Sequence, residues 1–259
     1  MSAVDIAWCL FAMGLAAVVQ SVSGFGFALM AVPLAAIAVN LTTAVIAVSI
    51  ASVINVSMLV LRNYRDIDRG LAMRFNVPAL FGMPLGLVVL ATIEQQQLKI
   101  VLGGLIILGT LALMRGAGGL TARAWIDVMA GAISGVLAAS TGTNGPPLVL
   151  AAQMSKLSPD VFRATMSFTF IVSGPLSLIF FAFGGYFSWP AVWLAAGSIP
   201  LLVVGQIIGL RIRPLINEKQ FARFVYLLLL LQARLGHYAS FPSVIKAVRL
   251  RIKEKGCTV

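Results

Sequence analysis

Apolar positions in this chain form long unbroken runs rather than one face of each element. Residues 6–61, 75–93, 128–155 and 164–210 contain no Asp, Glu, Lys or Arg. A helix that crosses a bilayer needs about 20 mainly apolar residues, whereas a surface helix of a soluble protein keeps a polar face. These runs keep none. Hydropathy divides the chain into eight segments, at 7–33, 36–61, 73–92, 98–114, 125–152, 162–184, 190–210 and 220–236. The pattern predicts an all-α polytopic membrane protein.

Two of the segments are interrupted in the same way. Ser23-Gly24-Phe25-Gly26, followed by Pro33, breaks the first, and Thr141-Gly142-Thr143-Asn144-Gly145-Pro146-Pro147 breaks the fifth. In lipid an unpaired backbone group is costly, so irregular backbone survives only where protein or a wet cavity covers it. Other stretches repeat in the same order, about 120 residues apart. Pro78, Gly82 and Gly86 parallel Pro200, Gly205 and Gly209. Ile93-Glu94-Gln95-Gln96-Gln97-Leu98 parallels Ile216-Asn217-Glu218-Lys219-Gln220-Phe221. The division is a first membrane repeat at 1–118, a second at 119–233 and a basic tail at 234–259. A duplicated pair of broken segments marks a transport site near the membrane midplane.

Loop charge changes the picture. The loop after the second segment holds Arg62, Arg65, Arg69 and Arg74, but its counterpart at 184–190 holds no basic residue. The loop after the third segment holds only Lys99, whereas its counterpart holds Arg211, Arg213, Lys219 and Arg223. Basic loops stay on the cytoplasmic side, so the two halves are predicted to be inverted. Inversion needs an odd number of crossings per half. It follows if the broken segment of each half is re-entrant, two half-helices meeting at the glycines. Loops 62–74, 115–123, 156–163 and 211–223 are then inside, and those at 40, 94–99 and 184–190 outside. The tail fits poorly. The apolar run 224–233 is short for a crossing, and Arg234, Lys246, Arg249, Arg251, Lys253 and Lys255 follow it.

Composition narrows the function. The 259 residues are 60% hydrophobic and only 10% charged, and the net charge of +11 sits mostly in short loops, so no nucleic-acid partner is expected. Cys9 and Cys257 make no disulfide framework. The first run carries no positive n-region and is read as mature membrane protein. His237 is the only histidine and no metal-ligand spacing occurs, so neither a metal, a cofactor nor an enzyme activity is expected.

The breaks suit a small anion. A broken helix exposes free N–H groups at a half-helix N-terminus, with roughly half a positive charge. Gly24, Gly26, Gly142 and Gly145 let a ligand approach the backbone. Ser23, Thr141, Thr143 and Asn144 carry donors. The candidate binding set is Ser23, Gly24, Phe25, Gly26, Thr141, Gly142, Thr143, Asn144, Gly145 and Pro146, with Arg163 at an inner entrance. Packing is the competing account of any glycine in a membrane helix. Gly82, Gly86, Gly103, Gly104, Gly205 and Gly209 lack polar company and are read that way. Asn40, Asn55, Gln153 and Gln206 are candidates to line a cavity, cap helices or cross-link them, and Trp125, Trp189 and Trp193 anchor at the interface.

Gly24-Phe25-Gly26-Phe27 leading to Val32-Pro33-Leu34 resembles the first signature of the TauE/SafE sulfite-exporter family. Ser134-Gly135 followed by Thr141-Gly142-Thr143-Asn144-Gly145-Pro146-Pro147-Leu148 resembles the second. The likeness runs over roughly residues 5–231. It implies a multi-pass carrier of the cell membrane whose cargo is a small anion, usually sulfite or an organosulfonate. A passive anion or solute channel and a non-transporting scaffold subunit remain the alternatives. The sequence leaves the oligomeric state open, a homo-oligomer included.

Overall fold

A computed structural model describes residues 1–92, 123–141, 144–155, 157–183, 185, 187–215, 217 and 220. Among these the chain is helical, with no strand. The helices are α1 (Ala3–Ser23), α2 (Phe27–Ala38), α3 (Leu41–Asn63), α4 (Arg69–Thr92), α5 (Ala124–Thr141), α6 (Gly145–Met154), α7 (Pro159–Phe183) and α8 (Trp189–Ile212). The expected segments at 98–114 and 220–236, most of the boundary at 115–123 and the tail lie outside the described residues.

Polar side chains set the helix starts. Ser2 and Asp5 form a reciprocal capping box at α1. Asn40 accepts from the Thr43 N–H at 2.8 Å to open α3, and Asp68 accepts from the Leu71 N–H at 2.9 Å to open α4. Asn40 is therefore a cap. Four stretches, Ala3–Ser23, Thr42–Asp66, Pro159–Phe183 and Trp189–Leu215, are long and apolar enough to cross a membrane. Their outer faces are apolar as well: Phe183, Trp189 and Trp193 are each more than 70% exposed. Such a surface suits lipid, not water.

α1 and α2 form an antiparallel hairpin. Near the start of α1, the Trp8 indole N–H donates to Leu34 O at 2.8 Å, and Cys9 Sγ lies 3.8 Å from Ala35 O. The turn of the hairpin is the predicted break. One expectation changes in detail, because α1 has 21 residues and is as long as a full crossing rather than half of one.

The basic loops gather at one end of the bundle. Arg213, after α8, pairs with Asp160 of α7 and donates to Asn63 at the end of α3 at 3.0 Å. The Asp68 N–H donates to Thr165 at 3.0 Å, and Arg74 of α4 pairs with Asp127 of α5 at 3.0 Å. Hence α3 and α8 finish at this end, and α4, α5 and α7 start there. α1 starts at the other end, beside the start of α3. The two broken elements therefore enter the bundle from opposite ends.

Two seams of small residues hold the broken elements. α4 packs along α5, and α8 along α1. A Cβ on Gly82 or Gly86 would strike the backbone of Ala132 or Val136 in α5, and one on Gly131 or Gly135 would strike Phe75 or Ala79 in α4. Likewise a Cβ on Gly205 or Gly209 would strike Gly14, Val18 or Ser21 in α1. Lipid is as apolar as leucine, so association rests on close backbone packing rather than on the hydrophobic effect. The packing role assigned to Gly82, Gly86, Gly205 and Gly209 agrees with these contacts.

Candidate functional site

Ser23 shapes the first break. Its hydroxyl lies 2.7 Å from Val19 O and 2.6 Å from Phe25 O, and it accepts the Phe25 N–H at 3.3 Å. The chain then reverses through two left-handed glycines, Gly24 at φ 80° and Gly26 at φ 93°. A β-carbon there would cost about 1–2 kcal/mol in conformation alone. Gly24 also faces α7 so closely that a Cβ would lie 2.6 Å from Arg163 Cα. Phe25 is fully buried and meets Phe162 edge-on, with ring centroids 6.2 Å apart.

The second break faces the first. Ser134 donates to Asn144 O at 2.7 Å, and the Asn144 amide donates to Ser173 Oγ at 2.8 Å. These bonds tie the entrance of α6 to α5 and α7. Gly145 follows, with the rings of Phe25 and Phe170 at ordinary contact distance from its Cβ position, 4.0 Å and 3.8 Å.

A cavity of about 60 Å³ lies between the two breaks. At about 10–15 Å³ per water by the same kind of measure, it holds several waters or one small ion. Gly26, Phe27, Ala28 and Leu29 line it from the first turn of α2, and Asn144 and Gly145 from the start of α6. Ser49 and Ser52 face it from α3, and Ser173 and Ser177 from α7. The first helical bond of α2 runs from the Met30 N–H to Gly26 O at 3.2 Å, so the N–H groups of Phe27, Ala28 and Leu29 have no intrahelical acceptor. Pro146 and Pro147 carry no N–H, so α6 supplies fewer such donors. Ser173 accepts from Asn144 and still has its own O–H to give. No charged side chain is among the described lining residues. The cavity is thus rich in donors and has two helix N-termini on its wall, an environment that favours negative charge without a fixed cation.

The model of the family described as Sulfite exporter TauE/SafE matches residues 9–234. The chain belongs to this family. No curated protein and no solved structure shows a significant match. TauE/SafE membership makes it a membrane protein of a family of sulfur-anion transporters. The matched region contains both breaks and ends before most of the basic tail.

In this TauE/SafE chain the structure separates the predicted residues into groups. Gly26, Asn144 and Gly145 line the cavity. Ser23, Gly24 and Phe25 sit behind the first break, with the Ser23 hydroxyl committed to backbone. Pro146 is buried in the first turn of α6. Thr141 ends α5, while Gly142 and Thr143 lie outside the described residues. Arg163 is no open mouth: it is 5% exposed, donates to Val22 O at 2.6 Å and pairs with Asp160 at 3.0 Å. A cation at the carbonyl end of α1 also offsets the negative end of that helix dipole.

Sequence reasoning did not find the serines of α3 and α7, nor Gln20. A signal was present: Ser49 and Ser52 are three apart, Ser173 and Ser177 four apart, spacings that share a helix face inside charge-free runs. Asn55 and Gln206 lie behind the cavity, bonded to one another, and Asn55 is bonded to Gln20 as well.

Proposed function

We propose that this chain exports sulfite or a small organosulfonate across the cell membrane, and that it is built as two inverted repeats whose broken helices together hold the anion. The reading rests above all on one observation. Two breaks far apart in sequence open on one cavity, and both present helix N-termini to it. Donors without a buried lysine or arginine suit a carrier, because binding must be strong enough to select and weak enough to release. Asn144 and the Ser173 hydroxyl add directional bonds that a hydrated ion can exchange for water, while Ser177 gives its own O–H to Ser173 O.

The test is flux in proteoliposomes loaded with radiolabelled sulfite or sulfoacetate. A carrier gives saturable efflux and counterflow. Linear efflux without counterflow would indicate a channel. Absence of ligand-linked flux, together with a stable partner in pull-downs, would indicate a scaffold. Gly26→Leu combines backbone strain with a side chain beside the cavity, and should abolish flux in protein that still inserts. Wild-type flux from that variant would remove the site from consideration.

A further inference from the structure

Three buried amides cross the bundle in a line. Gln206 of α8 donates through Nε2 to Asn55 O at 2.5 Å and to Asn55 Oδ1 at 2.8 Å. Asn55 of α3 in turn donates through Nδ2 to Gln20 Oε1 of α1 at 2.6 Å. Their exposures are 3%, 0% and 1%. Gln20 lines the cavity, and its Nε2 has no acceptor among the described residues.

The direction of this chain is set by one atom that cannot be reversed. The Asn55 main-chain carbonyl only accepts, so the Gln206 atom beside it must be the NH2 group. That same NH2 needs an acceptor on the Asn55 side chain, which places Oδ1 there and Nδ2 toward Gln20. Nδ2 needs an acceptor in its turn, which takes Oε1 of Gln20. What Gln20 has left is a pair of N–H donors. Turning any of the three amides over would set donor against donor or acceptor against acceptor inside an apolar bundle. Gln20 Nε2 is not among the buried side-chain atoms left without a partner, because it opens on the cavity, where its donors are available to whatever fills that space.

We propose that Gln20 reads the charge of the cargo: its amide N–H group, held in one orientation by Asn55 and Gln206, donates to the bound anion. The inference rests on the anion-carrier reading of this cavity. Gln20 then complements the free N–H groups of Phe27 to Leu29, so that donors meet the anion from two helices. A cationic or donor-only solute finds no acceptor at Gln20.

The experiment is calorimetric titration of detergent-purified protein with sulfite, sulfoacetate and chloride. Gln20→Met removes the donors and should weaken binding of the preferred anion about ten- to a hundredfold, as expected for a lost bond to a charged group. Gln20→Glu keeps an oxygen for Asn55 and guards against misfolding. At pH 9.5, where its carboxylate offers no donor, it should bind the anion more weakly than wild type. Gln206→Met leaves Gln20 in place but frees its orientation, and should also weaken binding. Gln20→Met binding within about twofold of wild type, or Gln20→Glu binding as tight as wild type at pH 9.5, overturns the proposal and leaves the carrier reading standing. Unchanged binding in Gln206→Met overturns the pinning. Wild-type protein that binds none of the three anions overturns both readings.

Discussion

Gly24 and Gly26 both hold a left-handed φ. Gly24→Ala adds a steric conflict with the Arg163 backbone to the strain of a left-handed residue. It should cost clearly more than the about 1–2 kcal/mol of that strain alone. Thermal unfolding in detergent measures the loss, and a loss no larger than the strain would show that α7 yields to the extra methyl. The sequence marked both glycines by their place in the break, but it could not say which would face the cavity. That depends on α7, which reaches the hairpin only through folding. Arg163 shows the same limit. Its neighbour Asp160 is visible in sequence, but Val22 O belongs to a helix far away in the chain. The amide line was half legible: Asn55 and Gln206 stand out as polar residues in charge-free runs, while their mutual bonds need α1, α3 and α8 in place.

The helix seams carry their own test. Each broken element is gripped by a Gly-x-x-x-Gly helix of the other half: α5 by Gly82 and Gly86 of α4, α1 by Gly205 and Gly209 of α8. Small residues at such positions let two backbones touch, which is the main source of helix association in lipid. Gly135→Leu must push α4 away from α5, and should lower the unfolding midpoint severely or prevent stable insertion. Gly197→Ala meets only Leu10 Cδ2 at 3.7 Å, ordinary contact, and should change it little. Comparable midpoints for the two variants would mean that the α4–α5 seam contributes little. Their parallel spacing in the sequence made Gly82, Gly86, Gly205 and Gly209 legible as one pattern. Of their partners, Gly131 and Gly135 share the same four-residue spacing, and Gly135 belongs to the second signature, whereas Gly14 lacked a signal of its own, because a small residue in a membrane helix is common on any face.

At the scale of the whole molecule, loop charge and helix contacts point to the same arrangement by independent routes. The positive-inside bias opposes the two halves, and the contacts place the start of α1 and the start of α5 at opposite ends of the bundle. Single-cysteine labelling from either side of sealed vesicles distinguishes this from parallel repeats. Cys9 is buried, and both native cysteines can be replaced by serine to leave a silent background. Val4 and Phe187 are exposed at the end away from the basic loops, and Arg65 and Ala124 at the basic end. Cysteines at Arg65 and Ala124 should react only from the cytoplasmic side, and those at Val4 and Phe187 only from outside. The decisive pair is Val4 and Ala124, since each opens the broken element of its half. Parallel repeats would label both from one side, and the two helix N-termini could not then converge on the cavity from opposite directions. Opposite labelling would give alternating access its physical basis: two similar half-sites, one reached from each side, sharing one anion between them.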